Sequence, residues 1–212
     1  MAHARDIPAT VKDPEIVAQR RAELIEVATS LFLRNGFHKT SVREIVRACN
    51  FNVASLYMYV ASKEDILFLV AQQLMTEKSA ELARARNKNM SALDAFKTAF
   101  RTYCELIRRN RRNVKLLYRE MDNLPLDRQK VVLESETAVH SLFREIVETG
   151  IEKGEMRPTN TALLAQTAVF MAHMWSLKYW SLKDVVSFED FVEGHLQMLL
   201  QVLLPAPAKN PA

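Results

Sequence analysis

The chain has 212 residues, 49% hydrophobic and 25% charged, with a formal net charge of +4. That balance excludes a disordered chain, which would lack the apolar surface needed to offset its ordering entropy. Only 4 glycines and 7 prolines occur, and three of the prolines (Pro205, Pro207, Pro211) crowd the end, so long helices are expected rather than many short strands. No window reaches the roughly 18 consecutive apolar residues of a membrane span. Met1–Asp6 carries no apolar stretch of a secretory signal, and Cys49 and Cys104 read as two reduced thiols in apolar helical patterns. A cytoplasmic protein is expected. Residues 1–63 hold 9 Lys/Arg against 6 Asp/Glu, and the rest of the chain 20 against 19. A small anion-facing module joined to a nearly neutral body fits this distribution.

In chain order, residues 1–14 read as a flexible arm with Pro8 and Pro14. A first helix is predicted from Glu15 to Asn35, with Leu24, Ala28, Leu31 and Phe32 on one stripe and Gly36 just beyond its end. Ser41-Val-Arg-Glu44 is a capping box that opens a second helix through Val42, Ile45, Val46 and Cys49. Asn50 suits the left-handed position of a tight turn, and Asn52 caps a third helix running to about Val60. Val53, Leu56, Tyr57 and Val60 form its expected apolar set, with Ala54, Ser55, Met58 and Tyr59 opposite. Ser62–Asp65 caps a fourth helix that runs to about Arg86. Two short helices around a tight turn form either a helix-turn-helix, whose second helix enters the major groove, or a plain helical hairpin.

The residues Ala28-x2-Leu31-Phe32-x3-Gly36-Phe37-x2-Thr40-Ser41-Val42-x2-Ile45, followed by Ser55-Leu56-Tyr57-x-Tyr59-x3-Lys63-Glu64-x2-Leu67, resemble the DNA-binding domain of the TetR family of transcriptional repressors. The resemblance covers about a quarter of the chain. It departs from the family's usual residues at Asn50, Asn52, Ala54 and Val60, each a physically compatible replacement. It implies phosphate contacts by Thr40, Ser41, Ser55, Tyr57, Tyr59 and Lys63, and base reading from the exposed face of the third helix. For Tyr57 the alternative is packing between helices, and for Ser41 a capping role alone. Val53, Ala54 and Met58 offer apolar contact to a thymine methyl, Asn52 is the polar residue of that helix, and Arg43 and Arg47 stand on the second helix.

The rest of the chain reads as helical. Ser91–Asp94 opens a helix ending in the basic run Arg108–Arg112, which is either a solvated helix end or an anion contact. A segment with Val114, Leu117, Tyr118 and Met121 follows, then a helix from Pro125 to Lys153 closed by Gly154. Thr161–Tyr179, capped by Asn160 or Thr159, and Phe188–Leu204 are apolar on nearly all sides, which predicts burial on more than one face. In the resembled family such a pair forms a four-helix dimer bundle. Phe96, Phe100, Tyr103, Tyr118, Met121, Phe143, Phe170, His173, Met174 and Trp175 are candidates either for an effector pocket or for ordinary core. His140 is a further polar candidate. The stretch Met174–Trp180 resembles fatty-acid-responsive members faintly, which makes an acyl-CoA one candidate effector.

The expected fold is therefore all-α. A flexible arm (1–14) precedes a three-helix helix-turn-helix domain (15–63), a helical effector-binding and dimerisation domain (64–204) and a flexible tail (205–212). The expected function is a homodimeric repressor of palindromic operator DNA, released by a small apolar effector. The alternative is a DNA-binding activator or adaptor without one. No phosphate loop, nucleophile elbow or metal-ligand spacing occurs, so no enzyme, cofactor, metal or membrane partner is expected.

Overall fold

A computed structural model describes residues 7–49, 51–85 and 90–204, with the side chains of 82–85 excepted. Every regular element among them is helical: α1 Pro14–Asn35, α2 Val42–Ala48, α3 Val53–Tyr57, α4 Lys63–Ala85, α5 Ala92–Arg109, α6 Arg111–Glu120, α7 Leu126–Glu152, α8 Thr161–Leu177, α9 Tyr179–Leu182 and α10 Phe188–Leu203. A single 3-10 turn, Met121–Asn123, links α6 to α7. The expected left-handed Asn50, the end of the fourth helix at Arg86 and the tail 205–212 lie outside the described residues. The short α9 was not expected as a separate element. Its start follows a break at Lys178, the C-cap of α8.

The chain forms two compact units, residues 1–76 with 112–135 and residues 77–111 with 136–212. In the first, α1, α2 and α3 pack around Leu24, Ala28, Phe32, Ile45 and Leu56, each fully buried. Asp13 caps α1 by accepting from the amides of Glu15 and Ile16, and Gly36 ends it at φ +89°. The capping box of α2 is complete: the Ser41 hydroxyl accepts from the Glu44 amide at 3.2 Å, and the Glu44 carboxylate accepts from the Ser41 amide at 2.7 Å. The bonds its carboxylate accepts from the Ser41 amide and hydroxyl hold the Glu44 carboxyl below its ordinary range. Asn52 caps α3 through the Ser55 amide at 2.7 Å.

Two expectations change here. Residues 7–13 are not a loose arm: Ile7 is buried, its carbonyl accepts from Arg21, and the Thr10 amide donates to the Met58 carbonyl at 2.9 Å. The third helix ends at Tyr57 rather than Val60, so helical phase fails past it. Val53 and Tyr57, expected inside, are exposed, and Tyr59, expected outside, is buried against Phe51.

In the second unit α5 packs chiefly on α8, and α10 lies against both. Phe96, Phe100, Tyr103 and Phe143 are fully buried there, joined by Cys104, Ala168 and Ala172. Both cysteines are buried free thiols, and burial pushes Cys49 up to about 11.

Candidate nucleic-acid interface and effector core

The first unit builds one exposed face around α3. Asn52, Val53, Ala54, Tyr57 and Met58 are exposed, with Val53 at 43%, Tyr57 at 50% and Met58 at 42%, and Ser55 is half-buried among them. Ser41 and Arg43 on α2 are exposed beside it, as are Lys39 and Arg47. Val53, Tyr57 and Met58 thus place apolar surface in water on a five-residue helix.

Two residues of the expected phosphate set are used otherwise. Thr40 is 1% exposed, and its hydroxyl donates to the Gly36 carbonyl at 2.8 Å, so it closes the α1–α2 connection. Tyr59 is 8% exposed, with Arg21 donating to its carbonyl at 3.0 Å. Lys63 lies between the two roles. Its half-buried ammonium donates to the carbonyls of Phe37 at 2.8 Å and Thr40 at 3.1 Å and stands 4.3 Å from the Phe37 ring centre. Two of its three donors thus fix the backbone ahead of α2.

The supports of this face come from far along the chain. Arg119 of α6 donates to the carbonyls of Phe32 at 2.8 Å and Leu33 at 3.1 Å, which satisfies the end of α1 with a cation. Thr29 donates to Asn113 at 3.3 Å. Asp65 accepts from the amides of Ala61 at 2.7 Å and Ser62 at 3.0 Å, while its other oxygen takes the guanidinium of Arg128 from α7. Arg128 also lies 5.0 Å over the Phe68 ring. Only the Ser62–Asp65 cap was legible locally; the arginines carry no periodic signal of their long-range partners.

The basic run Arg108–Arg112 is engaged within the protein. Arg108 pairs with Glu105 at 2.7 Å, Arg109 with Glu81 at 3.0 Å, Arg111 stacks 3.6 Å from the Tyr179 ring centre, and Arg112 donates to Ser30.

Of the effector candidates, the second unit brings Phe96, Tyr103, Phe143 and His173 together. Phe96 and Phe143 stand 5.7 Å apart edge-on, Tyr103 and Phe143 6.1 Å, Tyr103 and His173 5.6 Å between ring centres. Phe100 is buried beside them in α5, and Met174 is half-buried. Trp175 joins a second aromatic group with Tyr179, Phe188 and Phe191. Phe170 is 55% exposed, turned to the outer side of α8, and is no part of the core. Tyr118, 51% exposed, and Met121 belong to the first unit. An open cleft of about 370 Å³ lies between α7 and α8, lined by Thr137, His140, Ser141, Arg144, Asn160 and Gln166 among others.

Sequence reasoning missed a polar group in this unit. Lys78, 5% exposed, pairs with Glu136 at 2.6 Å. Glu136 lies 3.8 Å from His173 Nε2, and that nitrogen is 2.7 Å from the Tyr103 hydroxyl. Burial depresses His173 to about 4, against an opposing pull from Glu136, so its ring is neutral at pH 7. Burial raises the Glu136 carboxyl, but the Lys78 charge and hydrogen bond outweigh it and hold it below its ordinary value. Lys78 continues the Val70–Leu74 stripe of α4 by one turn, where a lysine ordinarily signals that the stripe has reached solvent.

A helix-turn-helix with an exposed second helix, carried on an all-helical body, defines a class of transcriptional regulators. Residues 24–70 match the family model "Bacterial regulatory proteins, tetR family", and residues 89–203 match "Tetracyclin repressor-like, C-terminal domain". The HTH-type transcriptional regulator HbdR of Aromatoleum sp. (strain CIB) is 30% identical over 210 residues, 99% of this chain and 92% of its own. The HTH-type transcriptional repressor KstR2 of Rhodococcus jostii (strain RHA1) is 26% identical over 154 residues, 71% and 74% of the two chains. AibR in complex with isovaleryl coenzyme A and operator DNA superposes with a TM-score of 0.73 at 21% identity, over 84% of this chain and 97% of that one. The chain belongs to the TetR family, and it is a transcriptional regulator rather than an enzyme. Among the described residues no helix is long and apolar enough to cross a membrane.

Proposed function

We propose that this protein is a cytoplasmic, homodimeric repressor that binds a palindromic operator and leaves it when a small apolar acyl group, carried as a coenzyme A thioester, binds the second unit. The observation that carries the reading is the exposed α3 face, on which Val53, Ala54, Tyr57 and Met58 stand in solvent beside Asn52. Ser41, Arg43, Ser55 and Tyr57 contact phosphates and set the register; Asn52, Val53, Ala54 and Met58 meet base edges, chiefly thymine methyl groups. Thr40, Tyr59 and Lys63 position this face, and the third ammonium donor of Lys63 is directed to a phosphate. The dimer forms through α8 and α10, whose outer sides carry Leu163, Phe170, Met198 and Val202 at 38–63% exposure. Two heads related by a two-fold axis then meet half-sites about one helical turn of DNA apart.

The effector reading draws support from the buried Phe96–Tyr103–Phe143–His173 group, and from AibR, which holds both isovaleryl coenzyme A and operator DNA. Release requires that the effector bind the DNA-incompetent state more tightly, with a coupling of about 1–3 kcal/mol, or roughly 5–150-fold in operator affinity. The test begins by sequencing genomic fragments retained by the purified protein. A fluorescent duplex of the recovered site is then titrated with protein in the presence and absence of isovaleryl-CoA, butyryl-CoA and octanoyl-CoA. A palindromic site released at least fivefold by one thioester supports the reading. Equal affinity of every thioester for free and operator-bound protein removes the effector part of it.

A further inference from the structure

Residues 7–13 form a strap bonded to the end of α3. The Met58 carbonyl accepts from the Thr10 amide at 2.9 Å and from the Thr10 hydroxyl at 3.3 Å. The next carbonyl, that of Tyr59, accepts from Arg21 at 3.0 and 3.3 Å, and the same guanidinium donates to the carbonyl of the buried Ile7. A helix leaves its last carbonyls without intrahelical donors, and one of five residues does not stand alone in water. The strap and Arg21 supply those donors.

This path sets a free cation beside the exposed end of α3. Lys12 follows Thr10 by two residues, a span of at most about 7 Å in extended chain. Thr10 is itself bonded to Met58, whose side chain is 42% exposed on the α3 face. Lys12 is exposed and makes no hydrogen bond or ion pair among the described residues. The cations Arg21, Arg112, Arg119 and Arg128 of the same unit are each bonded to a partner within the protein. The adjacent carboxylate of Asp13 does not occupy Lys12: it accepts from the amides of Glu15 and Ile16 at the positive end of α1. An ammonium on a flexible four-carbon stem can follow a phosphate over such a distance.

We infer that the strap is part of the DNA interface, and that Lys12 takes a duplex phosphate at the Met58 end of α3, in addition to those met by Ser41, Arg43, Ser55 and Tyr57. This rests on the DNA-binding reading above. A phosphate contact gives affinity and register without base information. Each phosphate neutralised by a cation releases condensed counterions and adds roughly 0.9 to the salt slope.

The test is an anisotropy titration of the full-length protein with the recovered operator and a random duplex, from about 50 to 200 mM salt. The wild type is compared with Lys12→Gln, with Lys12→Arg, which keeps the charge, and with Lys153→Gln, a control for net charge. Lys153 is exposed, unpaired among the described residues and in the second unit. Lys12→Gln is expected to weaken both duplexes alike and to lower the slope by roughly 0.9 per head, so its gap to the wild type closes by roughly 3.5-fold per head across that range. Urea unfolding of Lys12→Gln should match the wild type, because the side chain has no partner to lose. Lys12→Arg and Lys153→Gln should keep the wild-type slope. A wild type that binds duplex while Lys12→Gln equals it in affinity and slope overturns this inference and leaves the DNA-binding reading standing. An equal fall in slope for Lys153→Gln or for Lys12→Arg overturns it too, as does a loss confined to the operator. A wild type that retains no duplex overturns the DNA-binding reading and this inference with it.

Discussion

Substituting Asp65 by alanine isolates what the distal arginine contributes to the DNA-binding face. Asp65 has 6% of its side chain exposed and Arg128 14%. The substitution removes the acceptor of the Ala61 and Ser62 amides and leaves a buried guanidinium without its partner. Breaking a buried pair from one side costs about 3–5 kcal/mol, and the lost cap is part of that sum. Against a total stability of roughly 5–15 kcal/mol this is severe, and for a chain of this length it lowers Tm by about 6–20 °C. The double variant Asp65→Ala with Arg128→Met removes the orphan charge and keeps an apolar cover over Phe68, so it should lose only about 1–2 kcal/mol, the cap alone. Urea unfolding of the wild type, both single variants and the double variant, followed by far-ultraviolet circular dichroism, closes the cycle. A single-variant loss below about 1 kcal/mol, or a double variant as unstable as Asp65→Ala, would refute the reasoning.

Further outcomes follow from the same structure. Tyr57→Phe should weaken operator and random DNA by similar factors and leave the salt slope unchanged, because a neutral hydroxyl releases no counterion, checked by anisotropy titrations over a salt series; loss on operator alone would make Tyr57 a base reader. Lys63→Ala should instead cost about 1–3 kcal/mol of stability as well as DNA affinity, because two carbonyls lose a charged donor; unchanged urea unfolding would return Lys63 to a purely phosphate-binding role. Phe170→Arg should convert a dimer to a monomer at micromolar concentration by light scattering, and an unchanged mass would move the interface elsewhere. The neutral His173 must take a proton on unfolding between its folded value of about 4 and its unfolded 6.5, so stability should fall by about 1.4 kcal/mol per pH unit as pH drops through that window. His140 is lowered too and adds the same sign, whereas the Glu136 carboxyl loses stability only below its ordinary 4.5. Denaturant unfolding at pH 7 and pH 5 should show a shallower dependence in His173→Gln, and an identical slope would contradict the burial argument.

Local chemistry was legible where its cause is local. The Ser41–Glu44 box, the Asn52 cap and the stop at Gly36 each rest on residues within four positions, and each stands as its spacing predicts. Orientation around α3 was not legible, because five residues are too few for a 3.6-residue period to fix which side faces inward. Thr40 and Lys63 looked like surface residues, since nothing in sequence reveals that the carbonyls of Gly36, Phe37 and Thr40 need donors. The same blindness hid Lys78 and Glu136, which lie 58 positions apart. The exposed Phe170 failed for a different reason: an aromatic residue in a helix with apolar residues on many sides does not declare which side is covered.

The first unit is not continuous in the chain: residues 112–135 complete what residues 7–76 begin. A ribosome that has released α1, α2 and α3 has yet to supply Asn113, Arg119 and Arg128. At synthesis rates of about 5–20 residues per second, some 3–12 s separate the emergence of Thr76 from that of Ser135. Through that interval the carbonyls ending α1 and the carboxylate of Asp65 await their cations. The same discontinuity rules out head-swapping by a single splice. A chimera joined after residue 76 inherits a reading helix without its anchors, whereas one that also carries residues 112–135 transfers the module whole.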